Sequence, residues 1–191
     1  MHKNKLPKIF YFIDKIVASE IKGINKEIAI ILRNYNKNYN IDEVNEIKNI
    51  SKKNKNKFYL ANDIKMALKL NLDGVYLPAF NKNIKLNIYS KRKNFNVIGS
   101  AHDLKEIKIK EAQGCELIFL APIFKVNKKS RYLGILEFNK ISNFTKTKII
   151  ALGGINDVNL KKLNLLKIYG FASISWIKKN RPKINLGRFK F

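Results

Sequence analysis

The residues able to do chemistry cluster at the ends of apolar runs. Arg33 with Asn34, Asn62 with Asp63, Ser100 with His102, the stretch 122–129 that ends in Lys129, Gly153 with Gly154, and Ser175 all stand there. Hydroxyls, small residues and cations dominate and carboxylates are few, which is an inventory for holding an anion. In "ALGGIN" (151–156) two glycines lie between an apolar run and the polar stretch "DVNLKK", where backbone N–H groups can approach a phosphate with no Cβ in the way. A lone Gly pair serves equally well as a plain turn. Ser175, at the end of the next run in "ASIS", is a second element that can act with the glycines. Arg33 closes an otherwise apolar segment, where a cation without a partner is costly, so an anion contact is expected there.

The segments that must position these residues recur along the chain. They are "KIFYFI" (8–13), "EIAIILRNY" (27–35), "KFYLAN" (57–62), "GVYLP" (74–78), "FNVIGSA" (95–101), "ELIFLAPIF" (116–124), "KIIALGGI" (148–155) and "YGFASISW" (169–176). Several are apolar on both alternations, as in a parallel sheet covered on both faces. Between them lie amphipathic stretches expected as helices at 42–53, 62–71, 103–114 and 156–167. Asp103 is placed to cap the third of these and Gly114 to end it. Eight such strands with right-handed crossovers predict a compact single-domain (β/α)8 TIM barrel over residues 1–191, with a doubly wound open sheet as the alternative. Such barrels typically run to ~250 residues, so shortened outer helices are expected at 15–26, at 82–94 and after Trp176. In a barrel, chemistry belongs at the C-terminal ends of the strands, and the last two strands are the usual phosphate position.

The chain has 191 residues, 46% of them hydrophobic, which excludes a disordered or fibrous protein. Its formal net charge of +25 raises nucleic-acid binding as a reading. Only 52–57, 91–93 and the stretch from Lys178 are dense, however, and the remaining lysines are interspersed with Asn and Ile, residues that share A- and T-rich codons. Compositional background on solvated faces therefore ranks ahead of a polyanion partner, and no RNP-like, zinc-finger or helix-turn-helix pattern argues otherwise. Cys115 is the only cysteine, so no intramolecular disulfide forms, and it is expected as a small buried apolar residue. Trp176 is expected to pack on the outer layer. No stretch approaches ~18 apolar residues and the run after Pro7 is too short for a signal segment, so a cytoplasmic protein without a membrane span is expected.

Six segments in order resemble the thiamine phosphate synthase/TenI family. "IILRNY" is similar to its strand ending in arginine, "NDIKMALKLNLDGVYLP" to DxALxLGADGVHLG, "VIGSAH" to GxSxH, "APIFKVNKK" to GPVFxTxxK, "ALGGIN" to AIGGI and "YGFASIS" to GVAVxS. The resemblance implies the barrel fold and phosphate binding by Gly153, Gly154 and Ser175. For the synthase it implies pyrophosphate contacts from Arg33, Ser100 and Lys129. Departures fall where the synthase contacts metal and pyrimidine. The family's Gln and Lys beside the arginine align with Ile31 and Tyr35, its Asn-Asp pair with Ala61 and Asn62, a further acid with Asn81, and threonines of the GPVF segment with Val126 and Lys128. Asn62, Asp63 and Asn81 are thus the candidate Mg2+ positions, weakened because Mg2+ is a hard cation that favours carboxylates.

The resemblance implies two reactions. The synthase couples hydroxymethylpyrimidine pyrophosphate with hydroxyethylthiazole phosphate to give thiamine phosphate and pyrophosphate. The TenI-like tautomerase needs no metal and uses a histidine as proton shuttle on the thiazole phosphate; His102 matches that place, and an imidazole of unperturbed pKa ~6.5 suits the task. The missing acids and the "VYLP" strand end lean towards the tautomerase, while Arg33, Ser100 and Lys129 speak for the synthase, which ranks first. A non-catalytic phosphate-binding relative is a further alternative. Each residue also has a plainer reading: His102 and Asp63 as helix caps, and Lys129 as solvated charge.

Overall fold

The computed structural model describes residues 6–15, 17–35, 39–126 and 131–180. Eight parallel strands close on themselves in chain order: β1 (Ile9–Ile13), β2 (Ile28–Leu32), β3 (Phe58–Ala61), β4 (Gly74–Leu77), β5 (Asn96–Ala101), β6 (Leu117–Leu120), β7 (Lys148–Leu152) and β8 (Gly170–Ser173). The barrel is sealed by β1 against β8, with Ile9 opposite Phe171 and Tyr11 opposite Ser173. The expected (β/α)8 barrel is therefore present and the open sheet is excluded.

Alternation along each strand divides the apolar residues into two cores. Ile9, Tyr11, Ile13, Ile28, Ile30, Leu32, Leu60, Val75 and Val97 face outward under the helices. Phe10, Phe12, Tyr59, Tyr76, Ile98, Leu117, Phe119 and Ile150 point inward and fill the barrel, with Ala29, Ala61 and Ala172 making room for the rings. Phe119 is the hub of that interior. Its ring meets Phe10, Phe12 and Tyr76 edge-on at centroid separations of 4.9, 5.7 and 5.5 Å, the arrangement that aromatic quadrupoles favour. The upper rings of this cluster form the floor beneath the barrel's C-terminal mouth.

The helices differ in how fully they form. α2 (Ile41–Asn54) is capped by Asn40, whose side chain accepts from the Asp42 and Glu43 N–H groups, and its Val44 and Ile47 are buried. α3 (Ile64–Lys69) and α4 (Leu104–Ala112) begin at Asp63 and Asp103, each accepting the backbone N–H three residues on. α5 spans Gly134–Ser142. As expected, α1 (Ala18–Ile21) is a single turn, the chain between β4 and β5 forms only a 3-10 helix at Ile84–Lys91, and α6 (Ser175–Asn180) is short. The helix expected over 156–167 is corrected to a 3-10 helix at Leu160–Leu165. The Asn156 side chain accepts from the Val158 and Asn159 N–H groups, and that of Asn159 accepts from Asn156 N–H. Such bonds hold the backbone in a turn and compete with an α-helical start.

Two outer-layer expectations hold. Trp176 packs against Phe171 at 5.6 Å and its indole donates to Asp157 at 2.7 Å. Cys115 is buried, and desolvation pushes its thiol up to about 12, against a smaller lowering by Lys110. Almost no thiolate exists at pH 8, and thiolate is the reactive species. Iodoacetamide at pH 8 should therefore leave the folded protein unmodified and label it fully in denaturant, as read by intact mass. Labelling of native protein at the rate of a free cysteine would show that this packing is open. Among the described residues no helix is long and apolar enough to cross a membrane.

Candidate functional site

The mouth of the barrel begins with Asp14, which follows β1, and Arg33, which follows β2. Arg33 Nε donates to Asp14 Oδ1 at 3.1 Å, and the guanidinium carbon lies 5.2 Å from the centre of the Phe12 ring. Stacking on the barrel floor and one carboxylate hold the plane of the guanidinium; an arginine so placed can still present its terminal nitrogens to an anion. Ser100 lies inside the barrel on β5 and is buried. It is hydrogen-bonded to the Tyr76 hydroxyl, which is also bonded to Tyr35. Burial pushes the phenol pKa of Tyr35 and of Tyr76 up from its ordinary value, so both stay protonated and act as neutral hydrogen-bonding groups. Tyr35 then meets Phe80 edge-on at 5.2 Å across the rim. Beside that pair is a cavity of about 400 Å³ lined by Asn34, Tyr35, Tyr39, Asn62, Asp63, Met66 and Phe80. Tyr39 fixes its back wall: its hydroxyl donates to Ala61 O at 2.9 Å and accepts from Asn34 N–H at 3.1 Å, tying the ends of β2 and β3 together.

The three candidate metal positions are all engaged in hydrogen bonds. Asn62, with a left-handed φ of 61°, accepts through Oδ1 from Asn81 Nδ2 at 2.8 Å. Asn81 Oδ1 accepts in turn from Asn83 N–H and from Gln113 Nε2, both at 3.1 Å. Asp63 caps α3 through Met66 N–H at 2.9 Å, the plainer of its two readings. Mg2+ takes oxygen ligands and usually keeps one or two carboxylates. Here the two amide oxygens already accept hydrogen bonds and the one carboxylate serves a helix, so these residues do not fit Mg2+. Among the described residues no group of three His, Cys, Asp or Glu side chains could hold a metal.

His102 follows β5. Its backbone N–H donates to Glu106 Oε2 at 2.8 Å and its Nδ1 lies 2.9 Å from the same oxygen. With Asp103 accepting Glu106 N–H at 2.8 Å, these contacts close the first turn of α4, so the capping role expected for this residue is present. The ring is more than half exposed, and in the tautomer whose Nδ1 donates to Glu106 the acceptor nitrogen is Nε2.

On the opposite rim, Gly153 and Gly154 follow β7 with φ of 101° and 69°. The loop after β6 lies directly on them: Ile123 N–H donates to Leu152 O at 2.9 Å and Phe124 N–H to Gly153 O at 3.1 Å. A Cβ on Gly153 would stand 2.7 Å from Pro122 Cβ, and one on Gly154 would stand 2.5 Å from Phe124 O. Both glycines are thus required by a close approach of two loops as well as by their φ. Asn159 Nδ2 donates to Gly154 O at 2.8 Å and turns the loop back. Ser175 is exposed at the start of α6, while its neighbour Ser173 accepts Trp176 N–H at 3.3 Å. Lys129, with Lys128, lies outside the described residues.

Arg33 and Ser100 therefore share the mouth with the glycine loop and Ser175, and His102 stands at its edge against α4. Sequence reasoning did not find the Asp14 partner of Arg33, the Tyr35–Tyr76–Ser100 chain, the Tyr39 staple or the buried Lys110. One signal was present for the first of these, since Asp14 ends its apolar run as Arg33 ends the next.

The sequence model of the thiamine monophosphate synthase family matches residues 15–177. The thiamine-phosphate synthase of Methanococcus vannielii is 24% identical over 185 residues, covering 92% of this chain and 88% of that protein. That of Prochlorococcus marinus is 34% identical over 145 residues, covering 73% of this chain and 41% of that protein. Among solved structures, thiamine phosphate pyrophosphorylase from Pyrococcus furiosus superposes with a TM-score of 0.71 at 20% identity, covering 90% of each chain, which supports the fold. The match over 163 consecutive residues, from just after β1 into α6, places this chain in the thiamine monophosphate synthase family.

Proposed function

We propose that this protein joins hydroxymethylpyrimidine pyrophosphate to hydroxyethylthiazole phosphate in the cytoplasm, yielding thiamine phosphate and pyrophosphate. The observation that carries the reading is the pairing, within this family, of a guanidinium held at the end of β2 with a buried hydroxyl on β5. In the reaction the bond between the pyrimidine methylene and the pyrophosphate oxygen breaks, and the electron pair leaves with pyrophosphate. The thiazole nitrogen lone pair forms the new carbon–nitrogen bond.

Arg33 and Ser100 meet the oxygens on which negative charge grows, Arg33 as a fixed cation and Ser100 as a hydroxyl donor. Lys129 adds a second cation from the stretch after β6. Gly153, Gly154 and Ser175 hold the thiazole phosphate on the far rim, so the nucleophile and the departing group approach from different sides. The ring floor of Phe12, Tyr76 and Phe119 excludes water from below. Since Asn62, Asp63 and Asn81 do not fit Mg2+, the departing charge is met by the chain's own cations. The basic surface is read as background, with no nucleic-acid partner.

Incubation of the pure protein with both substrates, followed by mass spectrometry, should give thiamine phosphate. Thiazole phosphate isomerisation without coupling would sink the reading in favour of the tautomerase. His102 separates the two readings further. Its Nε2 is the proton shuttle of the tautomerase, whereas coupling needs no proton transfer at that place. His102→Ala should leave kcat/KM for coupling within about threefold and lower the melting temperature slightly through the lost α4 cap. A drop of about 10²-fold or more, the size of a lost general acid or base, would assign His102 a catalytic role.

A further inference from the structure

We propose that the corner between β3 and β4 works without a divalent cation, and that Lys110, with Gln113, does the ordering that a metal would do there. Lys110 is a positioning residue: it acts through the loop after β4 and touches no substrate. The proposal depends on the coupling reading only for its activity measurement.

Lys110 lies on α4 and its side chain is fully buried, an environment lysine rarely occupies; burial lowers its pKa to about 8, so the ammonium still predominates at neutral pH and needs its donors satisfied. Here each of its three N–H groups has an acceptor. Nζ donates to Pro78 O at 2.7 Å, to Asn81 O at 2.7 Å and to Gln113 Oε1 at 2.9 Å. Two of these acceptors are carbonyls of the loop that leaves β4, turned inward onto one ammonium. Gln113 completes the arrangement by donating to Asn81 O, Asn81 Oδ1 and Asn83 O at 3.1 to 3.2 Å.

The consequence appears at the mouth. With its backbone carbonyl held by Lys110 and its amide oxygen held by Gln113, Asn81 has a defined side-chain rotamer. Its Nδ2 then reaches Asn62 Oδ1 at 2.8 Å, bridging the ends of β3 and β4. A metal held by acids at these two positions would join the same two strand ends. The amide bridge joins them with no charge, and the cation that gathers the loop carbonyls is a covalently attached ammonium one layer behind. A divalent cation entering this corner would meet amide oxygens already in use and a like charge nearby, both unfavourable.

Mn2+ titration of the full-length protein, followed by electron paramagnetic resonance, is expected to show no saturable site into the low millimolar range. Chelator should leave hydrogen exchange of residues 78–83 and the coupling rate unchanged. Lys110→Met should quicken exchange in that loop by about tenfold, corresponding to ~1.4 kcal/mol of local opening. Adding Asn62→Asp and Asn81→Asp to that variant should make loop protection depend on Mg2+, a rescue that a purely packing role for Lys110 would not give. If the triple variant does not fold, Mn2+ binding and chelator response of the wild type still decide. Saturable Mn2+ binding lost in Asp63→Asn, or loop protection in the wild type that falls in chelator, would overturn the proposal. Should coupling itself fail, the Mn2+ and exchange measurements still test the corner, so failure of the reaction and failure of the metal-free corner are told apart.

Discussion

Arg33→Met is expected to lower kcat/KM for thiamine phosphate formation by about 10²–10³-fold, the loss seen when one preorganised donor to a developing negative charge is removed. Three observations make Arg33 the position of greatest leverage. It stands at the mouth, its guanidinium plane is fixed by the Phe12 ring at 5.2 Å and by Asp14 at 3.1 Å, and the neighbouring amide corner supplies no formal positive charge at its surface. Methionine keeps an unbranched stem of similar length and removes the guanidinium together with its contact to the Phe12 ring. The fold should change little, because Arg33 and Asp14 form a partly exposed pair at the barrel mouth and such surface pairs contribute only about 0–1 kcal/mol. Arg33→Lys keeps the charge and loses the planar fork, so it should recover only part of the rate. Asp14→Asn should act more mildly than Arg33→Met, by loosening the guanidinium without deleting it. Single-turnover kinetics with both substrates saturating reads the chemical step directly. A reduction below about threefold for Arg33→Met would remove Arg33 from the pyrophosphate site and leave Lys129 and Ser100 to carry that charge.

Much of the barrel was legible because its strands are uniformly apolar. A segment such as "IAIIL" at 28–32 is buried on both faces, and few local structures other than a sheet covered on both sides accommodate that. The caps at Asp63 and Asp103 were legible for a similar reason, since a short acidic side chain before an apolar-periodic stretch has a local partner in its own helix. The 156–167 stretch misled because Leu160, Leu163 and Leu166 satisfy one face of an α-helix while their spacing of three suits a 3-10 helix better, and Asn156 and Asn159 take the N–H groups that would start the α-form.

At the site, residues whose role depends on the local chain could be placed, and residues whose role depends on a distant partner could not. Ser100 and Tyr76 meet only because β4 and β5 are neighbours in a closed barrel, with Tyr76 opposite Ile98 in register. Lys110 was hidden by abundance. In a chain with 39 Lys and Arg, nothing local marks Lys110 as a lysine whose three N–H groups are all satisfied inside the protein, and two of its three acceptors lie about thirty residues away. The glycines show the converse. "GG" announced a special backbone, but whether a ligand or a neighbouring loop demanded it required the distances to Phe124 and Lys125.

Those distances set the second large expectation. In Gly154→Ala the new Cβ would lie 2.5 Å from Phe124 O and 2.7 Å from Lys125 O, both backbone atoms, so relief requires the two loops to part. Its φ of 69° adds about 1–2 kcal/mol for a residue with a Cβ. Gly23→Ala isolates that second contribution, because Gly23 has φ of 78° and open space around its missing Cβ, and it lies before β2, far along the chain from the phosphate loop. Gly23→Ala should therefore lose about 1–2 kcal/mol of stability and bind phosphate ligands as the wild type does. Gly154→Ala should lose about 1–3 kcal/mol more from overpacking, and its affinity for thiamine phosphate should fall by at least about tenfold, or ~1.4 kcal/mol. The physical link is direct: the N–H groups proposed to hold the phosphate belong to the backbone that must move away from Phe124. Calorimetric titration with thiamine phosphate and a parallel melt of each variant separate the two effects. If Gly154→Ala melts early yet binds with unchanged affinity, the glycine pair is a packing device alone, and the phosphate belongs to Ser175 and the cations across the mouth.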